Sequence, residues 1–312
     1  MIISNKELFK FAHGCLNQMV DENGVRLLRF EDEQIDYYRD NKIYLERTLS
    51  SSGVFLEFKT DASFVSFTAT IDNLCSLDSV DIIVDGVLMH SFPYTACGEL
   101  KVEAELCEGE KDLKIILPLY ASTVLSDIEL RDASFADVVE AKGKKVLFLG
   151  DSITQGNGAS TSCCSYAWTL TQIYGFDTLN QGIGGYCYDP KIPLPKSFSP
   201  ELIFVAYGTN GYKSSRFTEK VNGFYDVMKE RYPDIPIVAI SPIYRVDPGN
   251  EKLCEVHGII ADAAKEIKNF TLIDGLKIVP HMDSFFADTA HPARHGHLYF
   301  ASRLSAAIRE VL

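Results

Sequence analysis

The most informative absence in this sequence of 312 residues is that of any long apolar run. A membrane-spanning helix needs about 20 consecutive apolar residues, and no run here approaches that length. The first residues, MIISNKELFKFAHG, also lack a continuous apolar segment followed by a small-residue cleavage site. We therefore expect no membrane partner and a cytoplasmic protein.

Basic residues are also scarce, with 30 Lys and Arg against 43 Asp and Glu and a net charge of -13. This balance argues against nucleic acid or an anionic membrane as a partner and suits a neutral or cationic substrate. The cysteines show no CxxC spacing, so we expect neither a disulfide framework nor a zinc site built from them, and no cofactor. The eight positions are Cys15, Cys75, Cys97, Cys107, Cys163, Cys164, Cys187 and Cys254.

The chain is long enough for two domains, and 46% hydrophobic composition is ample for two cores. Residues 53–131 contain short alternating runs separated by turn residues, a pattern that predicts an antiparallel β-sandwich. Within it, Asp85-Gly86 predicts a tight hairpin. Residues 31–42 are charged and are expected to form a solvated loop. We assign residues 1–140 to this domain, because the charged, glycine-containing stretch 134–145 is typical of a boundary.

Residues 141–312 alternate predicted strands with amphipathic helices, which indicates a doubly wound α/β domain with a parallel sheet. In residues 216–232, for example, Phe217, Val221, Phe224 and Met228 repeat at helical spacing. Two further helical faces are expected, one from Leu253, Val256, Ile260, Ala263 and Ile267, the other from Leu298, Ala301, Leu304, Ala307 and Ile308. The predicted strands are 146–149, 177–179, 236–240 and 270–273, together with a buried strand in 202–210 that ends in Gly-Thr-Asn.

The strand 146–149 runs directly into Gly150, Asp151 and Ser152. In an open parallel sheet, ligands bind outside the carboxyl ends of the strands, so a hydroxyl at this point lies where chemistry takes place. The simpler alternative is that Ser152 is the N-cap of the following helix.

Three later segments place glycine or polar residues at further strand ends or loops: NQGIGG at 180–185, GTN at 208–210 and DTAHP at 288–292. Together with GDSIT at 150–154, and in this order, they resemble the four motif blocks of the SGNH (GDSL-type) hydrolase family. The resemblance implies that Ser152 is the nucleophile, His291 the base and Asp288 the acid that orients it.

The same resemblance implies an oxyanion hole formed by the backbone N–H of Ser152, the backbone N–H of Gly185 and the side-chain amide of Asn210. Gly184 remains an alternative to Gly185. Where many members of the family read GxND, this sequence has Gly211 in place of the acidic residue. Some related carbohydrate esterases lack the triad acid, which is the role that the resemblance gives to Asp288.

The first half of the chain is similar in arrangement to the jelly-roll domain that precedes the SGNH domain in two-domain carbohydrate esterases of the family 2 type. This resemblance implies a short-chain esterase that removes acetyl groups from a small-molecule or saccharide ester. Tyr186 and Tyr212 each follow a motif block and are expected to bind substrate at the rim of the pocket. A lipase or thioesterase of the same family is the alternative.

Two other functions stay open. His291, His295 and His297, with His281 and Asp283 upstream, form a group that could hold zinc for a metal-dependent hydrolysis. The protein could also bind carbohydrate without catalysis, with a silent second domain. The sequence does not indicate an oligomeric state.

Overall fold

The computed structural model describes residues 1–74, 78–247, 250–309 and 311, so Cys75 lies outside the described residues. The chain divides into two units. One comprises Met1–Lys142 together with Ser160–Cys163, and the other comprises Gly143–Ala159 and Cys164–Leu312. Ser160–Cys163 belong to the first unit although they follow residues of the second unit in the sequence, and this was not predicted. Within the described part of the chain, none of the helices has the length and hydropathy needed to cross a membrane.

The first unit is built from antiparallel strands, as the alternating pattern predicts. Its strands are β1 (Ile2–Ile3), β2 (Ala12–His13), β3 (Asn17–Asp21), β4 (Gly24–Leu28), β5 (Phe55–Thr60), β6 (Phe64–Leu74), β7 (Asp78–Val84), β8 (Val87–Tyr94), β9 (Gly98–Glu105), β10 (Lys111–Ile116), β11 (Ala121–Leu125), β12 (Ile128–Arg131) and β13 (Ala136–Val138).

These strands form two sheets that share one core. The first sheet has the order β1-β12-β6-β11-β4-β3 with β9 also paired to β6, and the second has the order β13-β5-β10-β7-β8 with β2 also paired to β5. Val65 and Phe67 from the first sheet lie in the same buried cluster as Ile82 and Ile115 from the second. The predicted β-sandwich is therefore confirmed, because inward-facing residues of both sheets interdigitate in this way in sandwiches.

Local signals in this unit were only partly recognised. The predicted hairpin is present, since Asp85 and Gly86 connect β7 to β8 with φ angles of 48° and 80°. The predicted loop at residues 31–42 is wrong, because this stretch contains the helix α1 (Asp32–Tyr38) and the start of α2 (Lys42–Thr48). Both helices begin with strong caps. Glu31 and Gln34 form a capping box, and the Asn41 side chain accepts hydrogen bonds from two backbone N–H groups of α2.

The second unit contains a five-stranded parallel sheet with the order β15-β14-β16-β17-β18. This confirms the doubly wound α/β prediction. Its strands are β14 (Lys145–Gly150), β15 (Asp177–Gly182), β16 (Leu202–Ala206), β17 (Ile237–Ile240) and β18 (Phe270–Ile273). Its helices are α3 (Ser152–Gln155), α4 (Tyr166–Tyr174), α5 (Phe217–Arg231), α6 (Asn250–Ala264), α7 (Gly275–Ile278) and α8 (Arg294–Ile308).

The last helix buries Ala301, Leu304 and Ile308, as its sequence suggested, but not the other two residues predicted for that face. Leu298 is 40% exposed and Ala307 is also exposed, whereas His297 and Phe300 are buried. His297 stacks on Tyr166 of α4, with ring centroids 6.3 Å apart. The helix therefore presents a histidine to the interior where the hydrophobic pattern placed a leucine, and that histidine reaches the candidate site described next.

Candidate active site

The candidate site lies at the carboxyl ends of β14 and β16. In the order β15-β14-β16, the connection that follows β14 leads to one side of the sheet and the connection that follows β16 leads to the other. The two connections therefore diverge between these strands and leave a crevice, which is where ligands bind in such folds. Ser152 follows β14 directly, and Asn210 lies in the loop that follows β16. The sheet topology thus brings two of the predicted residues to one edge.

Ser152 is the first residue of the short helix α3. The N-cap of that helix is Asp151, whose side chain accepts a hydrogen bond from the backbone N–H of Ile153 at 3.0 Å. The interpretation of Ser152 as an N-cap is therefore wrong. Its side chain is engaged elsewhere, as its hydroxyl oxygen lies 2.8 Å from Nε2 of His291.

A chain of hydrogen bonds joins Ser152, His291 and Asp288. Beyond the contact between Ser152 and His291, Nδ1 of His291 lies 2.7 Å from Oδ2 of Asp288. An Nδ1–H that donates to the carboxylate leaves Nε2 as an acceptor for the serine hydroxyl. The structure thus brings together the three side chains predicted from the motifs, in the relative arrangement that a serine nucleophile and its base require.

The carboxylate of Asp288 is held by its own loop. Its Oδ1 accepts hydrogen bonds from the backbone N–H groups of Ala290 and His291, both at 2.8 Å. Partial burial raises the pKa of Asp288, but the hydrogen bonds from Ala290 and His291 outweigh it and hold the pKa below its ordinary value. An ionised Asp288 is therefore available to orient the imidazole of His291.

Asp151, next to Ser152, differs from Asp288 in its pKa. Burial raises its pKa to about 7, against the opposing effects of the hydrogen bond from Ile153 and the positive charge of Arg245. Arg245 itself forms a two-pronged ion pair with Asp247 and donates to the backbone carbonyl of Thr209 at 3.3 Å. It therefore ties the loop after β16 to a neighbouring loop.

The two glycines of the second motif block have different surroundings. The backbone N–H of Gly184 donates to Oε1 of the buried Gln155 at 2.7 Å, so it is already committed within the protein. Gly185 is the third residue of a turn closed by a hydrogen bond from Tyr186 to Ile183, and its φ of 75° is one that glycine adopts readily. The role of Gly185, or of Gly184 in its place, as an oxyanion donor stays a prediction.

Asn210 donates from Nδ2 to the carbonyl oxygen of Tyr186 at 3.2 Å. This bond orients the amide and connects the second and third motif blocks. Tyr186 is itself buried, its hydroxyl donates to Asp189 at 2.5 Å, and its ring packs against Tyr207. Tyr212 is half-buried, with the Lys213 ammonium over its ring. The structure therefore places Tyr212 nearer to solvent than Tyr186, and substrate binding by either stays a prediction.

The histidines of the zinc alternative do not converge. His281, His295 and His297 each place Nε2 at 2.8 Å from a different backbone carbonyl, those of Leu276, Ser284 and Asn157. Among the described residues, no group of three or more His, Cys, Asp or Glu side chains is placed to hold a metal ion. The histidine cluster seen in the sequence is therefore not a cluster in space.

Sequence reasoning missed Gln155, Asn157, Arg245 and His297. Gln155 and Asn157 continue the first motif block, in TQGNG, so their nearness to Ser152 could have been noticed. Arg245 and His297 carried no comparable signal. His297 donates from Nε2 to the backbone carbonyl of Asn157, and its Nδ1 accepts from the N–H of Tyr166 at 3.3 Å. Because it is buried, its pKa is lowered to about 4.

Comparison with known proteins agrees with the motif analysis. A family model described as "GDSL-like Lipase/Acylhydrolase family" matches residues 148–299, a range that includes all four motif blocks. No curated protein sequence matches the chain.

Solved structures match the whole chain at low sequence identity. The salicylyl-acyltransferase SsfX3 from a tetracycline biosynthetic pathway is 18% identical with a TM-score of 0.81, over 100% of this chain and 97% of that one. A protein described as a GDSL-like lipase from Bacteroides ovatus is 17% identical with a TM-score of 0.78, with the same coverage. A family two carbohydrate esterase from Cellvibrio japonicus is 14% identical with a TM-score of 0.71, again over 100% and 97%. At these identities the likeness establishes the fold.

We expect His297 to make the protein sensitive to acid. The unfolded chain takes up a proton at this ring below about pH 6.5, whereas the folded chain does so only near pH 4, so stability is present above this window and is lost as the pH falls through it. The shift corresponds to about 3 kcal/mol at most. His297→Gln, which keeps an N–H donor, should lose less unfolding free energy between pH 6.5 and 4 than the wild type in urea titrations. The exposed His295→Gln is the control, and equal pH dependence in all three proteins would contradict the prediction.

Proposed function

We propose that the protein is a serine esterase that removes short acyl groups, in particular acetyl, from a carbohydrate or a similar polar alcohol, because residues 148–299 match the model of the GDSL-like lipase/acylhydrolase family. The observation that carries the proposal is the hydrogen-bonded chain from Ser152 Oγ through His291 to Asp288, with distances of 2.8 and 2.7 Å. A serine in this arrangement can lose its proton as it attacks a carbonyl carbon.

The chemistry follows from these contacts. Nε2 of His291 takes the proton of Ser152 as Oγ bonds to the ester carbonyl carbon, and Asp288 stabilises the resulting imidazolium. Collapse of the tetrahedral intermediate expels the alcohol, which receives the proton from Nε2, and leaves an acyl-serine. Water then repeats the sequence and releases the carboxylic acid. The N–H groups of Ser152 and Gly185 and the amide of Asn210 would hold the oxyanion in both steps.

The substrate class rests on separate support. The family acts on esters of small molecules and saccharides, and several proteins of similar fold are described as family two carbohydrate esterases, with an acetyl xylan esterase among them. The sequence has no long apolar segment that could act as a lipid-facing lid. Tyr212, half-buried beside the third motif block, offers an aromatic ring on which a sugar could pack.

Ser152→Ala and His291→Ala should each lower kcat on p-nitrophenyl acetate by about a thousandfold or more, and the double variant should be little worse, because residues that share one proton act as a unit. Steady-state kinetics measure this, and a fluorophosphonate probe should label Ser152 in the wild type but not in these variants.

The exposed Ser215→Ala is the matched control and should leave both readouts unchanged. If the losses of the two single variants multiply in the double variant, Ser152 and His291 do not share a proton. Loss of activity with EDTA and its return with zinc would instead favour metal-dependent hydrolysis, and absence of both labelling and turnover would favour a non-catalytic binding protein.

Asn210→Ala should lower kcat by about a hundredfold with little change in KM, because the lost amide acts on the transition state. The same assay measures it, with Asn222→Ala on the exposed face of α5 as the control. A large rise in KM with intact kcat would make Asn210 a substrate-binding residue instead.

Activity should fall steeply between acetyl or propionyl and octanoyl p-nitrophenyl esters. Each methylene that a small acyl pocket cannot accommodate forfeits about 0.8 kcal/mol of burial and adds strain. A comparison of kcat/KM across the ester series measures this. A preference for octanoyl or longer chains, or for acyl-CoA thioesters, would replace the carbohydrate esterase by the lipase or thioesterase alternative.

A further inference from the structure

A fourth side chain contacts the nitrogen that exchanges the proton. Nδ2 of Asn157 lies 3.3 Å from Nε2 of His291, the same atom that is 2.8 Å from Ser152 Oγ. Because the Nδ1–H of His291 donates to Asp288, Nε2 carries a lone pair and accepts hydrogen bonds. The Asn157 amide therefore presents an N–H to it. None of the roles assigned above uses this amide.

The backbone of Asn157 is fixed to the nucleophile. Its N–H donates to the carbonyl oxygen of Ser152 at 2.9 Å, immediately after the end of α3. Its own carbonyl accepts the Nε2–H of His297 at 2.8 Å, and the other ring nitrogen of His297 accepts from Tyr166. With both ring nitrogens engaged and no exposed surface, His297 is held in one orientation and holds Asn157 in turn.

The next residue fixes the distance to His291. Gly158 has a φ of 90°, and a Cβ added there would lie 2.2 Å from the carbonyl oxygen of Pro292 and 3.3 Å from Cβ of His291. The backbone of residues 157–158 thus lies directly against the loop that carries His291. Asn157 and His291 are consequently held at a defined separation from two different segments.

Resting on the esterase function proposed above, we propose that Asn157 positions the acyl acceptor. During deacylation the oxygen of water, and during acylation the oxygen of the departing alcohol, must lie within hydrogen-bond distance of Nε2. The Nδ2–H of Asn157 borders the same volume and donates to a lone pair of that oxygen. The oxygen gives its proton to Nε2 as it bonds to the acyl carbon, and the proton passes to Ser152 Oγ as the acyl bond to serine breaks.

Substrates with different leaving groups distinguish the positioning of the acyl acceptor by Asn157 from a general structural role of this residue. p-Nitrophenolate departs without needing a proton, so acylation by p-nitrophenyl acetate does not require a positioned alcohol oxygen, whereas deacylation requires a positioned water. For Asn157→Ala we expect kcat on this ester to fall about tenfold while kcat/KM changes less than about threefold. On an acetylated saccharide, whose alkoxide must be protonated, kcat/KM should also fall about tenfold.

Rapid-mixing kinetics should show the corresponding accumulation of acyl-enzyme in Asn157→Ala. Equal losses of kcat/KM on the aryl ester and the acetylated saccharide would overturn the inference, because Asn157 would then act on His291 or on the fold as a whole. Unchanged kcat on both would overturn it too. If Asn157→Ala does not fold, Asn157→Ser gives the same comparison with a side chain too short to reach the acceptor.

His297 gives a second test through its positioning of Asn157. His297→Gln keeps an N–H donor toward the Asn157 carbonyl and should retain wild-type kinetics on both substrates, whereas His297→Asn, with a shorter side chain, should show the same split between the substrates as Asn157→Ala. Identical behaviour of the Gln and Asn variants would contradict the role of that hydrogen bond. Fluorophosphonate labelling of wild-type Ser152 is read in the same samples. Failure of labelling overturns the esterase function, while labelling without the kinetic split overturns only the role of Asn157.

Discussion

The parallel register of β14 with its two neighbours is the constraint on which the site depends. Gly150, the last residue of β14, pairs with Gly182 of β15 on one side and with Ala206 of β16 on the other. The three strands therefore end at one level, and the loops that carry Ser152, Gly185 and Asn210 all begin there. A slip in register would displace one loop relative to the others by a residue, about 3.3 Å, which is enough to break the 2.8 Å contact between Ser152 and His291.

This register is stabilised by burial on both faces of the sheet. Val146, Phe148, Phe204 and Val238 lie in one buried cluster together with residues of α4 and α8, and the rings of Phe148 and Phe204 stack at 4.7 Å. Parallel strands covered on both faces are apolar throughout, which is why the strand before Ser152 was recognisable. Ser152 thus stands at the end of a strand in which every residue from Val146 to Gly150 is buried. His291 and Asp288 instead lie in a loop ordered by the hydrogen bonds of the Asp288 carboxylate to its own backbone.

Local patterns in the sequence predicted what local physics determines. The five parallel strands, the amphipathic face of α5 and the hairpin at Asp85 follow from residue spacing and turn chemistry within a few positions. The prediction failed where the deciding contact is distant or the signal is short. Helix α1 begins at a capping box formed by only two residues, Glu31 and Gln34. The charged stretch that contains them was predicted to be a loop. The orientation of α8 depends on Tyr166, which takes His297 rather than Leu298 into the interior, and a hydrophobic scale ranks those two residues in the opposite order.

The same distinction between local and distant contacts applies to the candidate site. The motif blocks predicted the residues that lie at strand ends or next to one another, such as Asp288 and His291, which are three positions apart. They could not predict that His297 would form a hydrogen bond with Asn157, which is 140 residues away in the sequence.

The two histidines of the site, His291 and His297, differ in their surroundings. His297 is fully buried between a carbonyl and an N–H, and its lowered pKa keeps the ring neutral, so that it can serve as a fixed hydrogen-bond donor and acceptor. His291 has a partly exposed side chain beside the carboxylate of Asp288, an environment that suits the role of base proposed for it. The two residues are the same amino acid, and the environment of each ring therefore distinguishes the proposed proton carrier from the residue proposed to support it.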